Sequence, residues 1–158
     1  MEPQQVSAQL TSEPEIHTIR HGFMISSYPL MIMENVRAEI VKAPPICSIP
    51  STPEWFAGFI NHRGETAPVY DLDRYLQIVD EPKENQEWVL LIDNHPNTVG
   101  VLLRQPPNSI VDPVLQTEAV TGFPDVIQQA AGQVYEYASQ QWLEVDHHRL
   151  FMALKKQF

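Results

Sequence analysis

A small set of side chains stands at spacings that could do chemistry. His17 and His21 are four residues apart, which on a helix would turn both imidazoles toward one metal ion. Residues 16–26 read instead as a strand, because Phe23 and Ile25 alternate with polar or small residues. A strand would hold the two rings about 13 Å apart, and the glutamate of a metalloprotease helix is missing. His147 and His148 are adjacent, so a helix would point them about 100° apart, a poor arrangement for one metal; a solvated helix start is the plainer role. Asp71 and Asp73 could form a carboxylate pair for acid–base work. The plainer reading makes them a helix cap and a solvated charge. Cys47 could act as a nucleophile only beside a base in an electropositive setting, and its neighbours Ile46 and Ile49 point to burial. No phosphate-binding loop, nucleophile elbow or dinucleotide fingerprint occurs. The sequence therefore assigns no catalytic, cofactor-binding or metal-ligating residue.

These residues are carried by short segments punctuated by proline. Fourteen prolines against six glycines, spread over the whole length, exclude long helices. Residues 52–76 hold the densest run of structural decisions. Pro53 can start a tight turn. Trp55, Phe56, Phe59 and Ile60 supply apolar bulk, and Gly64 after Arg63 marks a second turn. Residues 65–72 read as a strand containing Pro68, which should lie at a bulge or on an edge because it cannot donate to a ladder. Asp71 or Asp73 then caps a short helix through Leu72, Tyr75 and Leu76.

Around that stretch, residues 1–15 are polar and read as a flexible tail, followed by one domain over residues 16–158. A turn is expected at residues 26–29. Residues 30–33 and 36–41 are short apolar runs where helix and strand compete, and period two would put Arg37 and Glu39 on one face. Residues 79–87 read as a surface loop. Residues 88–93 and 99–103 form an antiparallel hairpin about a turn at 94–97. Residues 104–125, with Pro106, Pro107, Pro113 and Pro124, read as loop, and 125–131 as one or two helical turns. Two strands, 134–137 and 142–145, are joined at Ser139 and Gln140. A final helix capped by Asp146 carries Leu150, Phe151 and Leu154 on one stripe. Many short strands with few helices place the chain in the mainly β, barrel class.

Composition bounds the partners. Ten basic against twenty acidic residues leave a formal charge of −10, which opposes binding to nucleic acid or to an anionic membrane surface. The single cysteine excludes an intrachain disulfide and fits a reducing compartment. No run approaches the ~20 apolar residues of a membrane span, and the N-terminus lacks the basic start and apolar stretch of a signal peptide. A cytoplasmic protein is the expectation.

The run Thr52-Pro53, then Gly58-Phe59-Ile60-Asn61-His62-Arg63-Gly64, then Pro68-Val69-Tyr70-Asp71-Leu72 resembles the central motif of CheW-like coupling proteins. That family reads T-P, then G-V-I-N-L-R-G, then P-V-I-D-L, and the spacing agrees without a gap. Ala38-Glu39-Ile40 stands where the family carries its V-x-E-I strand. The resemblance implies two small five-stranded SH3-like barrels sharing a core, with a C-terminal helix. It implies a non-catalytic adaptor without cofactors, coupling the cytoplasmic tip of a methyl-accepting chemoreceptor to the regulatory domain of a CheA-like histidine kinase at membrane-associated arrays. Other CheW-like proteins are further implied partners.

Carried over by position, Arg63 is the arginine of N-x-R-G and Glu39 the glutamate of V-x-E-I. The expectation is that they pair across neighbouring strands and shape the receptor-facing side, with Asn61, His62, Val36 and Ile40 around them. Val36, Ile40, Phe59 and Ile60 can equally be core residues, and alternate strand positions favour core. The chain departs from the family at His62 for leucine, at Ala38 for valine, and at residues 104–113, where paired prolines interrupt an expected second-barrel strand. Those departures resemble the divergent members that serve type IV pili and twitching more than the flagellar type. The competing readings are a small metal- or thiol-dependent enzyme using His17, His21, His147 or Cys47, and a specialised regulator that does not bind the kinase.

Overall fold

A computed structural model of the chain describes residues 15–76, 88–118 and 121–158. Residues 1–14 of the tail expected over 1–15, and the loop at 79–87, lie outside the described residues. Eleven strands form two sheets. The first contains β1 (Ile19–Ile25), β2 (Tyr28–Ile32), β8 (Asn108–Val111), β9 (Val114–Gln116), β10 (Ala131–Tyr137) and β11 (Gln140–Val145), in the order β8-β1-β2-β11-β10-β9. The second contains β3 (Ala38–Lys42), β4 (Phe56–His62), β5 (Glu65–Tyr70), β6 (Trp88–Ile92) and β7 (Val99–Leu103), in the order β3-β6-β7-β5-β4. Three helices complete the described elements: α1 (Leu72–Tyr75), α2 (Asp125–Gln129) and α3 (His147–Lys155). The mainly β, two-sheet architecture with a C-terminal helix is the one expected, with six strands rather than five in the first sheet.

The apolar residues sort into three clusters, and strand alternation decides which side chain enters which. Val89 and Leu91 of β6 join Leu102, Val69, Ala67, Ile60 and Ala57 inside the second sheet. Leu90 and Ile92 of the same strand turn to a large shared cluster with Val101, Leu103, Phe23, Ile25, Leu30, Leu143 and Val145. Met31, Ile110 and Trp142 make a small cluster inside the first sheet. The helix α3 lays Leu150, Phe151 and Leu154 on the shared cluster, capped by the Asp146 side chain at the amides of His148 and Arg149.

Three expectations are corrected. Pro68 lies neither on an edge nor at a bulge: β5 runs between β4 and β7. It faces Phe59, whose backbone N–H and C=O are both committed to Cys47 on the other side, at 2.9 and 2.8 Å. That pair therefore needs no donor from position 68, and the parallel pairing with β7 begins only at Val69. Residues 104–125 are not all loop. Pro106 and Pro107 precede β8, which pairs with β1 over four residues, and Pro113 separates β8 from β9, which pairs with β10. Both are short edge strands, where flanking proline is tolerated. The β10–β11 turn falls at Ala138 and Ser139, both with positive φ as a two-residue hairpin requires, so Gln140 already belongs to β11.

Two ion clusters with buried carboxylates lie among these elements. Arg20 of β1 donates to Glu144 of β11 at 2.6 Å and to the Ile32 carbonyl at 2.9 Å. Arg104, just past β7, grips Asp71 with both terminal nitrogens at 3.1 and 3.2 Å and reaches Asp73 at 2.5 Å. Asp73 is thus buried, not solvated, and Asp71 both caps α1 and receives the arginine. Burial pushes the Asp73 carboxyl above its ordinary value, and the Arg104 guanidinium pulls it only part of the way back. Replacing Arg104 by methionine leaves two carboxylates without their shared cation. A loss of about 3 kcal/mol of stability at neutral pH is expected in urea unfolding. Without the arginine the folded-state Asp73 carboxyl titrates higher still, so the deficit should shrink as pH falls toward its protonation. A deficit that is independent of pH would show that the arginine acts by packing alone.

Candidate functional site

The second sheet closes on itself. Its edge strands are β3 and β4, yet the chain leaving β3 swings round so that Cys47 bridges to Phe59 on the outer side of β4. Gly58 makes that approach possible: with φ of 132°, a Cβ there would lie 2.1 Å from the Cys47 carbonyl oxygen. At the other end of the same two strands, Glu39 and Arg63 meet. Arg63 Nη2 donates to Glu39 Oε1 at 2.8 Å. His62 Nε2 lies 3.2 Å from Glu39 Oε2, off the line of a hydrogen bond. The two residues come together as the family resemblance implies, but across the closing edges of the sheet, since β3 and β4 are not neighbouring strands.

The turn that presents Arg63 is a two-residue hairpin between His62 and Glu65, with φ of 54° at Arg63 and 80° at Gly64. Asn61 is exposed and supports the turn, its Oδ1 accepting from the Gly64 amide at 3.1 Å. Glycine is at ease in this conformation; arginine is not, at a cost of about 1–2 kcal/mol. The ion pair does not offset that cost. Arg63 is 64% exposed and Glu39 31%, and such pairs contribute about 0–1 kcal/mol. The arginine is therefore held in this turn at a net cost to the fold.

Glu39, His62 and Arg63 line an open cleft of about 280 Å³ with Arg37, Glu65, Leu91, Asp93, Asn94, His95 and Thr98. Among these, His95 Nδ1 lies 3.6 Å from Glu65 Oε2. The lining mixes both signs of charge, which suits a polar partner surface better than a small apolar ligand. Period two puts Arg37 on the face of Glu39. Glu65, Asp93 and His95 carried no sequence signal, because they reach the cleft through hairpin turns. Val36 packs half-buried against the shared core. Phe59 is half-buried and Ile60 buried, in line with the core reading, but Ile40 is 41% exposed, so the core reading fails there. Ile40 sits opposite Leu90 on the face away from Glu39, at the margin of the shared core, where an edge strand has no neighbour to cover it.

The residues of the enzyme reading are placed apart. His17 Nδ1 contacts Asp112 at 2.6 Å and Nε2 contacts Glu15 at 3.1 Å, outside the strand that carries His21. Its hydrogen bond to Asp112 and the attraction of that carboxylate hold the His17 pKa above the ordinary value. Cys47 is exposed rather than buried, because its backbone is what closes the barrel, leaving the side chain outward. His147 is buried rather than solvated, and both His147 and His148 turn back to one carboxylate, that of Asp93. Their side-chain torsions undo the divergence expected from a helix.

Comparison with known proteins supplies the family. The model of the CheW-like domain matches residues 33–151. Protein FrzA of Myxococcus xanthus is 37% identical over 71 residues, which span 45% of this chain and 42% of that protein. The scaffolding protein TtCheW from Thermoanaerobacter tengcongensis superposes with a TM-score of 0.67 over 86% of this chain and 93% of its own, at 20% identity. At that identity the likeness is one of fold.

The strain at Arg63 can be measured. Arg63→Gly should be about 1 kcal/mol more stable than Arg63→Ala in urea unfolding, because both lose the Glu39 contact and only glycine relieves the backbone. Equal stability of the two would remove the strain argument.

Proposed function

The chain belongs to the CheW-like domain family, a family of non-catalytic scaffolds, and from that premise we propose that it is an adaptor coupling chemoreceptors to a CheA-like histidine kinase in a chemosensory array. The observation that carries the proposal is the Glu39–Arg63 pair: a strained, exposed arginine locked to a carboxylate across the closing edges of one barrel. Arginine's planar fork suits a fixed carboxylate contact and leaves further donors free for a partner. The cleft beside it offers a polar surface for the receptor tip.

The regulatory domain of the kinase is assigned to the first sheet. The paired prolines leave β8 in place along β1, which keeps that sheet's edge intact for a partner. The adaptor acts by binding and by transmitting a shift in population between its partners. Among the described residues no helix is long and apolar enough to cross a membrane; a cytoplasmic location at receptor arrays belongs to the same proposal. So does an output through type IV pili, which rests on the departures at Ala38, His62 and residues 104–113.

Capture of purified partners tests the assignment. The full chain should co-sediment with both a receptor cytoplasmic fragment and the kinase regulatory domain. Glu39→Arg and Arg63→Glu should each weaken receptor capture about tenfold, or ~1.4 kcal/mol, with kinase capture unchanged. The double reversal should recover most of the loss. Lack of recovery would mean that the pair is incidental, and failure to capture either partner would end the coupling reading. Unimpaired twitching in a deletion strain would remove the pilus branch.

A further inference from the structure

We propose that Asp93, His147 and His148 form a binding site for one divalent transition-metal ion of the Zn²⁺ type. The three come from distant parts of the chain. Asp93 follows β6, and the two histidines open α3. His147 Nε2 lies 2.8 Å and His148 Nε2 3.2 Å from the same oxygen, Asp93 Oδ2. One donor atom from each residue falls within 4.8 Å of the others. A tetrahedral ion with bonds of about 2.0–2.2 Å needs its donors roughly 3.3–3.5 Å apart, so the two distances from Asp93 Oδ2 to the imidazoles need to open by only a few tenths of an ångström to admit one.

Asp93 and the turn of helix that carries the histidines are both held in place. The Asn94 amide donates to Asp93 Oδ1 at 2.7 Å, which commits that oxygen and leaves Oδ2 to the imidazoles. The Asp93 amide donates to the Arg37 carbonyl at 2.8 Å. Asp93 itself is held at φ of 78°, a left-handed conformation that aspartate adopts more readily than most residues but that still marks a constrained position. Asp146 accepts from the amides of His148 and Arg149 at 3.0 and 3.3 Å, fixing the turn of helix that carries both rings. The rings stand 4.1 Å apart with 35° between their planes.

The burial of His147 bears on the same cluster. His147 is buried and its Nδ1 has no hydrogen-bond partner. A buried imidazole with one nitrogen orphaned is a costly group to keep for one hydrogen bond. A metal bond would not reach Nδ1, but at Nε2 it would replace that single hydrogen bond with a stronger contact.

The donor set selects the class of ion. Two imidazoles and one carboxylate suit Zn²⁺, Co²⁺, Ni²⁺ or Cu²⁺, whereas Ca²⁺ and Mg²⁺ require oxygen. One carboxylate leaves a net positive site on a chain of formal charge −10, and three protein ligands leave a coordination position open. Asp93 also lines the cleft that holds Glu39 and Arg63. An ion here would staple the β6–β7 turn to α3 and restrain one wall of that cleft. This inference stands whether or not the coupling role holds, because it rests on different contacts.

Calorimetric titration of the tag-free, chelator-washed full chain with Zn²⁺ near neutral pH decides it. The expected result is saturable uptake of one ion per chain. Asp93→Asn and His148→Gln should each weaken it by at least about tenfold, the loss that even an outer-sphere partner can cause, while His17→Gln leaves it unchanged. Both test variants are conservative and His148 is exposed, so melting of the metal-free proteins checks that they fold; if one does not, the other still decides. Zn²⁺ should raise the melting temperature of the wild type but not of either variant. Absence of saturable uptake, or uptake that both variants retain, would overturn the site.

Discussion

The burial of β6 and β7 on both faces is the constraint from which the rest follows. Residues 88–92 and 99–103 are almost entirely apolar, so neither strand has a face that can be left to water. A flat two-layer sandwich would cover one face only. The second sheet instead curls round its own small cluster and presses its outer face on the shared one. Curling brings the edge strands β3 and β4 together, and their meeting produces both the Cys47–Phe59 bridge at one end and the Glu39–Arg63 contact at the other. The candidate site is a by-product of closure: the polar mouth of a barrel whose inside is full.

Polar groups divide into those that place elements and those that present a surface, and magnitudes separate them. Arg104 with Asp71 and Asp73, and Arg20 with Glu144, are desolvated, so each partner left alone would cost several kcal/mol while the intact cluster adds little net stability. Their role is positional. Arg104 fixes α1 against the end of β7, and Arg20 spans β2 to reach β11. The Glu39–Arg63 pair is exposed and worth at most about 1 kcal/mol. The fold could dispense with it, which is why it is a candidate for recognition.

The sequence carried much of this architecture. Residues 52–76 read correctly as turn, strand, glycine turn, strand and short helix, since each boundary is marked by a residue with one backbone role. The hairpin of β6 and β7 and the capped final helix were equally legible from apolar runs and from Asp146. What was illegible depended on partners distant in sequence. Pro68 reads as an edge residue until Cys47 is known to hold the other side of Phe59. Asp73 reads as solvated until Arg104 arrives 31 residues later. Residues 108–116 look like loop because three- and four-residue edge strands carry too little pattern for period two to show. The two adjacent histidines converge only because Asp93 lies where the first turn of α3 begins.

Backbone strain alone does not single out the site. Nine non-glycine residues among those described have positive φ, and several do no more than complete a tight hairpin, as Ala138 and Ser139 do. Arg63, Asp93 and Asp112 differ in what the strain serves. At each, a left-handed backbone directs a charged side chain toward a segment far away in sequence: Arg63 to Glu39 on the opposite edge strand, Asp93 to the start of α3, and Asp112 to His17 ahead of β1. Glycine at position 63 would satisfy the turn with less strain, as Gly64 beside it shows. Retention of a strained arginine there is therefore a choice of side chain over backbone ease. That choice is the ground on which a contact between the guanidinium and a partner outside the chain is proposed.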